Sequence, residues 1–522
     1  MADASVKGNM EQPSYIVDVE HLDFSKRRAS HHEHETTHDA AEKGHVVTDK
    51  YGNALIEIDR AVETKLRHKI DLYVVPTVVL LYLFCFIDRT NIGNARLAGF
   101  EKDLGLKGYD YNTILSIFYI SYILCELPGT MLCKYVGPGW FIPSCSLGFG
   151  ITTVAFAFVR TKEQACAVRF LLGIFEAPML PGIAYYLSRW YRRSELAFRL
   201  AMYIACASFA GAFGGLLASG ILRLSHFGST KRWEMIFAIE GIITIILSLI
   251  SFLTLTDRPE TARWLSQEEK DLAVARIKSE RIATTEVLDK IDKKKMIGGI
   301  LSPVTMMTSV IFLLTTITVQ GVAFFAPTIV RTIYPKEPVV TQQLYTVPPY
   351  IVGALSCVLF NYLSTKIDRR NILMIICLPF VMVGYITFLA TTNSQARYGA
   401  TFIIAFGIYT FGALLNSQLS ANVISDTARS GAIGIGVFFC NVGGLISTWS
   451  FLPFDGPSYP IGNGLNLATS AVSFAVAIGL EFWMKIDNKR REELDIDSVL
   501  VGMSEKGIQD LDWKHPGFRW KP

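Results

Sequence analysis

Apolar stretches long enough to cross a bilayer recur about twelve times along the 522 residues. No other feature limits the fold so severely. Lipid offers no water to backbone N–H and C=O groups, so only helices and closed barrels can span it. Runs such as LYVVPTVVLLYLFCF, residues 72–86, are continuously apolar rather than alternating, which selects helices. The expected spans lie near 72–95, 111–135, 140–159, 164–188, 198–223, 234–256, 302–328, 342–364, 371–391, 397–420, 431–453 and 462–484. The fold class is therefore an all-α membrane protein with twelve transmembrane helices in two six-helix halves.

The remaining polar sequence divides the chain. Residues 1–68 are expected to be a largely disordered tail, 69–256 the first half, 257–300 a charged linker, 301–485 the second half and 486–522 a second tail. Arg189, Arg192, Arg193, Arg199, the basic linker, Lys366, Arg369 and Arg370 share one side, as do the basic residues before the first span and after the last. The excess of Lys and Arg assigns that side, and with it both termini, to the cytoplasm.

Net charge is only +4, too little to suggest a nucleic-acid partner. All nine cysteines fall in apolar runs without metal-ligand spacing and read as small core hydrophobes. Five histidines between His31 and His45 read as a polar tail rather than a metal site. No nucleophile–base pair or cofactor motif appears, so neither an enzyme nor a cofactor is expected.

What distinguishes the chain is charge inside the spans. An ionisable residue there costs at least about 2.5–3.5 kcal/mol and needs a partner or a wet cavity. Asp88 and Arg89 end the first run in FCFIDRTNIGNA. As neighbours on a helix they point about 100° apart and cannot pair simply with each other. In RFLLGIFEAPMLPG, Arg169 and Glu176 share a face roughly 10 Å apart along the axis. The first and fourth spans can thus balance one another's charges. Pro178, Pro181 and Gly182 follow at once and are expected to bend the fourth span. Glu126 is expected to pair with loop basics near the cytoplasmic end, and Glu240 to anchor the sixth span. The second half offers neutral polar groups instead: Gln343, Tyr350, Asn416, Gln418, Asn422 and Asn441.

FIDRTNIGNA, RFLLGIFEAPMLPG, RWEMIFAIEGI, DRPETARWLS and VPPYIVGAL, in this order, resemble the anion:cation symporter family of major facilitator proteins. More narrowly they are similar to its fungal allantoate-permease branch, nicotinate permeases in particular, over about residues 60–485. The resemblance implies the major facilitator fold, with Asp88 and Glu176 as proton-coupling acids. It implies Arg89, Arg169 and Asn441 as substrate-binding residues. The chain departs from the branch at Pro128-Gly129-Thr130, where PSN is usual, and lacks a Trp near the end of the tenth span.

The function expected is import of a small organic anion by proton symport and alternating access. The partners are the anion, protons and the lipid bilayer, for a monomer in the plasma membrane. An exporter or antiporter is the alternative, disfavoured by the buried arginines. A non-transporting sensor would carry a structured signalling domain.

Overall fold

The computed structural model describes residues 16–18, 45–47, 60–224, 231–281, 293–494 and 511–521. The histidine-rich stretch after His31 lies almost wholly outside the described residues, apart from His45 in the strand His45–Val47, which pairs antiparallel with Ile16–Asp18.

Among the described residues, eleven helices, some of them broken, are long and apolar enough to cross a membrane. The first half comprises α1 (Arg60–Leu97), α2 (Asp110–Val136), α3 (Pro138–Phe156), α4 (Lys162–Glu176) with α5 (Met179–Ser188), α6 (Arg193–Ile221) and α7 (Arg232–Thr254). Helix α6 fills the fifth position with 29 residues and carries no charge from Leu200 to Ile221. The linker forms α8 (Gln267–Arg281) and α9 (Lys293–Ile300). The second half comprises α10 (Pro303–Ile333), α11 (Val339–Leu344) with α12 (Val347–Ile367), α13 (Arg370–Ala390), α14 (Ser394–Ile408) with α15 (Phe411–Ala421), α16 (Asp426–Ser447) and α17 (Pro460–Glu492).

The fourth span breaks where the sequence says it should. Pro178 has no N–H to donate, so the helix stops after Glu176 and restarts at Met179. The tenth span breaks as well, between Ile408 and Phe411, without a proline. Breaks of this kind survive in a membrane only where the freed backbone is buried in protein or faces a cavity.

Two expectations about the tails are corrected. Helix α1 begins at Arg60, inside the segment expected to be disordered, because Leu66 and Ile70 already bury against the first half. The end of the second tail is docked rather than free: Trp520 is buried beside Trp483 and Phe518.

Hydrogen bonds between the halves gather at the end of the bundle remote from the termini. Asn112 Nδ2 donates to the Thr448 carbonyl at 2.6 Å, and Trp449 Nε1 donates to Ser116 Oγ at 2.8 Å. Gln343 Nε2 reaches the Asn94 carbonyl at 3.3 Å.

Candidate functional site

Asp88 and Arg89 lie inside the bundle because α1 does not stop at the end of its apolar run. It continues through NIGNARL to Leu97, with Asn91, Ile92 and Ala95 buried against neighbours. Helix α4 starts from Thr161, whose hydroxyl accepts the Gln164 N–H, and runs along α2. Gly173 allows that approach: a Cβ there would collide with Ser121 Oγ. Arg169 and Glu176 are thereby carried against α1, and both are buried.

The structure brings four of the five expected residues together. Arg89 Nε and Nη2 donate to Glu176 Oε2 at 3.1 and 3.0 Å. The Arg89 guanidinium stands over three rings, Phe86 at 4.8 Å, Tyr122 at 5.0 Å and Phe118 at 5.1 Å. Arg169 makes one hydrogen bond, from Nη1 to the Arg89 carbonyl at 3.4 Å. Its Nε and Nη2 are buried without a partner. Asp88 pairs with neither arginine and accepts the Thr244 hydroxyl at 3.2 Å, while its Oδ1 has no partner. The four-way balance expected of the first and fourth spans is thus one ion pair, one under-bonded arginine and one aspartate turned toward α7.

Asn441 stands elsewhere. Its amide donates to Glu126 Oε2 at 2.8 Å, from the second half to the first. Glu126 therefore pairs across the bundle rather than with loop basics. Glu240 does not behave as an anchor, for neither of its carboxyl oxygens has a hydrogen-bond partner. Of the neutral groups in the second half, Gln418 and Asn422 hold the Lys521 carbonyl, each at 3.1 Å. Tyr350 bonds the Val322 carbonyl at 3.4 Å, and Asn416 bonds its own helix at Gly412.

Sequence reasoning missed the aromatic wall around Arg89 and the hydroxyl of Thr244. Thr244 had a readable signal, one turn beyond Glu240 in IEGIIT. The Glu126–Asn441 bond had none, because spacing within a helix says nothing about which helices meet.

A broken fourth helix and a buried ion pair beside it lie in an all-helical membrane bundle, and the family to which the chain belongs makes that bundle a transporter rather than an enzyme. The Major Facilitator Superfamily model matches residues 78–448, and the chain belongs to that superfamily. An uncharacterized transporter of Schizosaccharomyces pombe is 31% identical over 89% of this chain and 91% of its own length. A high-affinity nicotinic acid transporter of Saccharomyces cerevisiae is 29% identical over 98% of this chain and 95% of its own. Among solved structures, the xylose transporter of E. coli in a partially occluded inward-open conformation superposes with a TM-score of 0.61 at 14% identity. It covers 77% of this chain and 97% of its own. A bacterial homolog of the human lysosomal transporter Spinster gives 0.59 at 17% identity, over 79% of this chain and 96% of its own.

Proposed function

We propose that the chain imports a small organic anion, a monocarboxylate of the nicotinate kind, by proton symport and alternating access. The same reading makes it a member of the allantoate-permease branch of the superfamily, supported by its similarity to a nicotinic acid transporter. The observation that carries the reading is the Arg89–Glu176 pair, sealed among three aromatic rings beside an arginine with two unbonded nitrogens. Buried cations without their full set of partners favour an anion.

The coupling follows from the pair. Glu176 occupies Arg89 through Nε and Nη2, leaving the Nη1 edge unspent. A proton on Glu176 or Asp88 removes one negative charge and frees positive potential for a substrate carboxylate. Arg89 and Arg169 then grip that carboxylate, and a planar fork suits it. Proton and anion raise each other's affinity by the same factor, since linkage is reciprocal. The aromatic rings suit a flat, aromatic acid. Asn441 contributes an amide from the other half, tying substrate occupancy to the approach of the halves.

With cytoplasmic termini, as the basic loops indicate, the bonded end of the bundle faces outward and the site is reached from the cytoplasm. The reading further assumes a monomer in the plasma membrane. The test is uptake of a panel of labelled carboxylates into vesicles with pH gradient and potential clamped separately. Nicotinate or a near relative is expected to accumulate when the outside is acidic. Glu176→Gln is expected to exchange substrate yet lose about a tenfold accumulation per pH unit, the equivalent of one proton. Uptake indifferent to pH in the wild-type protein would remove the symport reading.

A further inference from the structure

Charge counting at the site leaves one group without a role. Glu240 is wholly buried in α7, and both its carboxyl oxygens lack a hydrogen-bond partner. A buried carboxylate without partners is among the costliest groups a protein can hold, so it holds a proton or a counter-charge. Among the described residues no cation bonds Glu240. Helix α3, packed against α7, contains no charged residue, and α6 contains none from Leu200 to Ile221. The α3–α7 contact is close, since a Cβ on Gly241 would meet Val154 N at 2.7 Å. From α1 the facing ionisable group is Asp88, bonded to Thr244 one turn along from Glu240. The nearest acid along α7, Glu234, is taken by Arg160. Both arginines of the site donate their hydrogen bonds to Glu176 or to the α1 backbone, and none to Asp88 or Glu240.

We infer that Glu240 carries a transported proton, and that Asp88, Thr244 and Glu240 form a proton-holding corner separate from the Arg89–Glu176 pair that meets the anion. The inference rests on the symport reading and fixes its stoichiometry. Asp88, Glu176 and Glu240 oppose Arg89 and Arg169, so the fully ionised site has one negative charge in excess. One proton brings it to neutrality. A second gives the single positive charge that an anion requires. The unbonded Asp88 Oδ1 and the two oxygens of Glu240 are three buried acceptor atoms without partners, on the packed helices α1 and α7. Thr244 Oγ1 lies 3.2 Å from Asp88 Oδ2 and 3.0 Å from the Glu240 backbone carbonyl, so its hydroxyl links the helices that carry the two acids. Two protons with one monoanion move one net positive charge inward.

The experiment uses the full chain in lipid vesicles, with radiolabelled nicotinate as the probe and membrane potential clamped at zero. Wild type is expected to accumulate nicotinate about a hundredfold per pH unit, the figure for two protons, and Glu240→Gln only about tenfold or less while still exchanging it. Equal pH slopes in the two proteins would overturn the role of Glu240 and leave symport standing. Exchange without pH-driven accumulation in wild type would overturn symport and this inference together. Should the variant not reach the vesicles, or nicotinate not be carried, the wild-type protein decides alone by treatment with dicyclohexylcarbodiimide, which reacts with protonated carboxyls in apolar surroundings. Label on Glu240 that falls as the buffer passes from mildly acidic to mildly alkaline supports the inference. Label that is absent, or constant with pH, overturns it.

Discussion

The first spans of the two halves face each other across the bundle and solve the problem of polarity in lipid in opposite ways. Helix α1 buries Asp88, Arg89, Asn91 and Asn94. Helix α10 buries Ser309, Thr315 and Thr316, and the first two of these return their hydroxyls to their own helix, at Thr305 and Ile311. A hydroxyl bonded to the preceding turn is satisfied wherever its helix moves. A charge is not; it needs partners from other helices. The first half therefore depends on the positions of α1, α2, α4 and α7 for its charges to be tolerated, and can respond to a proton or an anion. The second half can move as a body with its own hydroxyl bonds intact, and the contact it gives up to an acid of the first half is the Asn441–Glu126 bond. Titratable chemistry is concentrated in one half and mechanical insensitivity in the other.

The comparison breaks most readily at Arg89. Removing one partner of a buried ion pair strands the other, at about 3–5 kcal/mol. Arg89→Ala is expected to lower uptake by a hundredfold or more while the protein still reaches the membrane, read as transport per molecule at the surface. Arg89→Lys is expected to recover little, because an ammonium cannot donate from two positions of one plane to Glu176. Near-normal uptake in the alanine variant would move the anion site out of the first half.

A middle-sized effect is expected where the halves touch across the middle of the bundle. Asn441→Ala removes the 2.8 Å bond to Glu126 and leaves a partly buried acid unpaired. A hydrogen bond to a charged group is worth about 1.5–3 kcal/mol, so apparent substrate affinity is expected to fall about tenfold. The same change is expected to alter the reactivity of an engineered cysteine at the termini end of α2, which reports how the halves sit. Unchanged affinity with altered reactivity would make Asn441 a fastener between halves and not a substrate ligand.

These residues also show how far the sequence could be read. The spans, their division by the linker and the break after Glu176 follow from hydropathy, length and proline chemistry, which act locally. Arg169 and Glu176 share a face because seven residues make nearly two turns, again a local fact. Partner choice is not local. Asp88 turned to Thr244 rather than to an arginine, and Glu126 met Asn441 rather than a loop lysine, because tertiary packing chose the neighbours. The C-terminal segment was misread for a related reason. Its polar composition resembles a free tail, yet a few aromatic residues, Trp513, Phe518 and Trp520, suffice to dock it. Composition averages over a window and hides three well-placed rings.

That docked segment supports the last and smallest effect on transport. Trp513 Nε1 donates to the Gly298 carbonyl of α9, and Asp512 accepts the Ile424 N–H before α16. Trp520 Nε1 donates to Asp487 on α17 at 2.6 Å, and Lys521 reaches Asp368 after α12 at 3.2 Å. The segment thus ties the linker helix α9 to three places in the second half, and none of these contacts involves a site residue. Trp520→Ala is expected to destabilise the folded protein by about 3–5 kcal/mol, the usual cost of truncating a buried tryptophan, while leaving transport per folded molecule within about twofold. The pH dependence sharpens this. Burial pulls the Asp368 carboxyl upward, but the Lys521 ammonium and Arg370 outweigh it and hold it below the ordinary aspartate range. A depressed acid contributes stability above its unfolded pKa, about 3.9, and loses it only as pH falls through the lower folded value. Between mildly acidic and neutral pH the melting difference between wild type and a chain ending before residue 511 is therefore expected to stay constant, while proton-driven uptake changes steeply over the same interval. A melting difference that followed uptake with pH would mean that the fastening of the second half answers to the protons of the first, and the division of labour between the halves would fail.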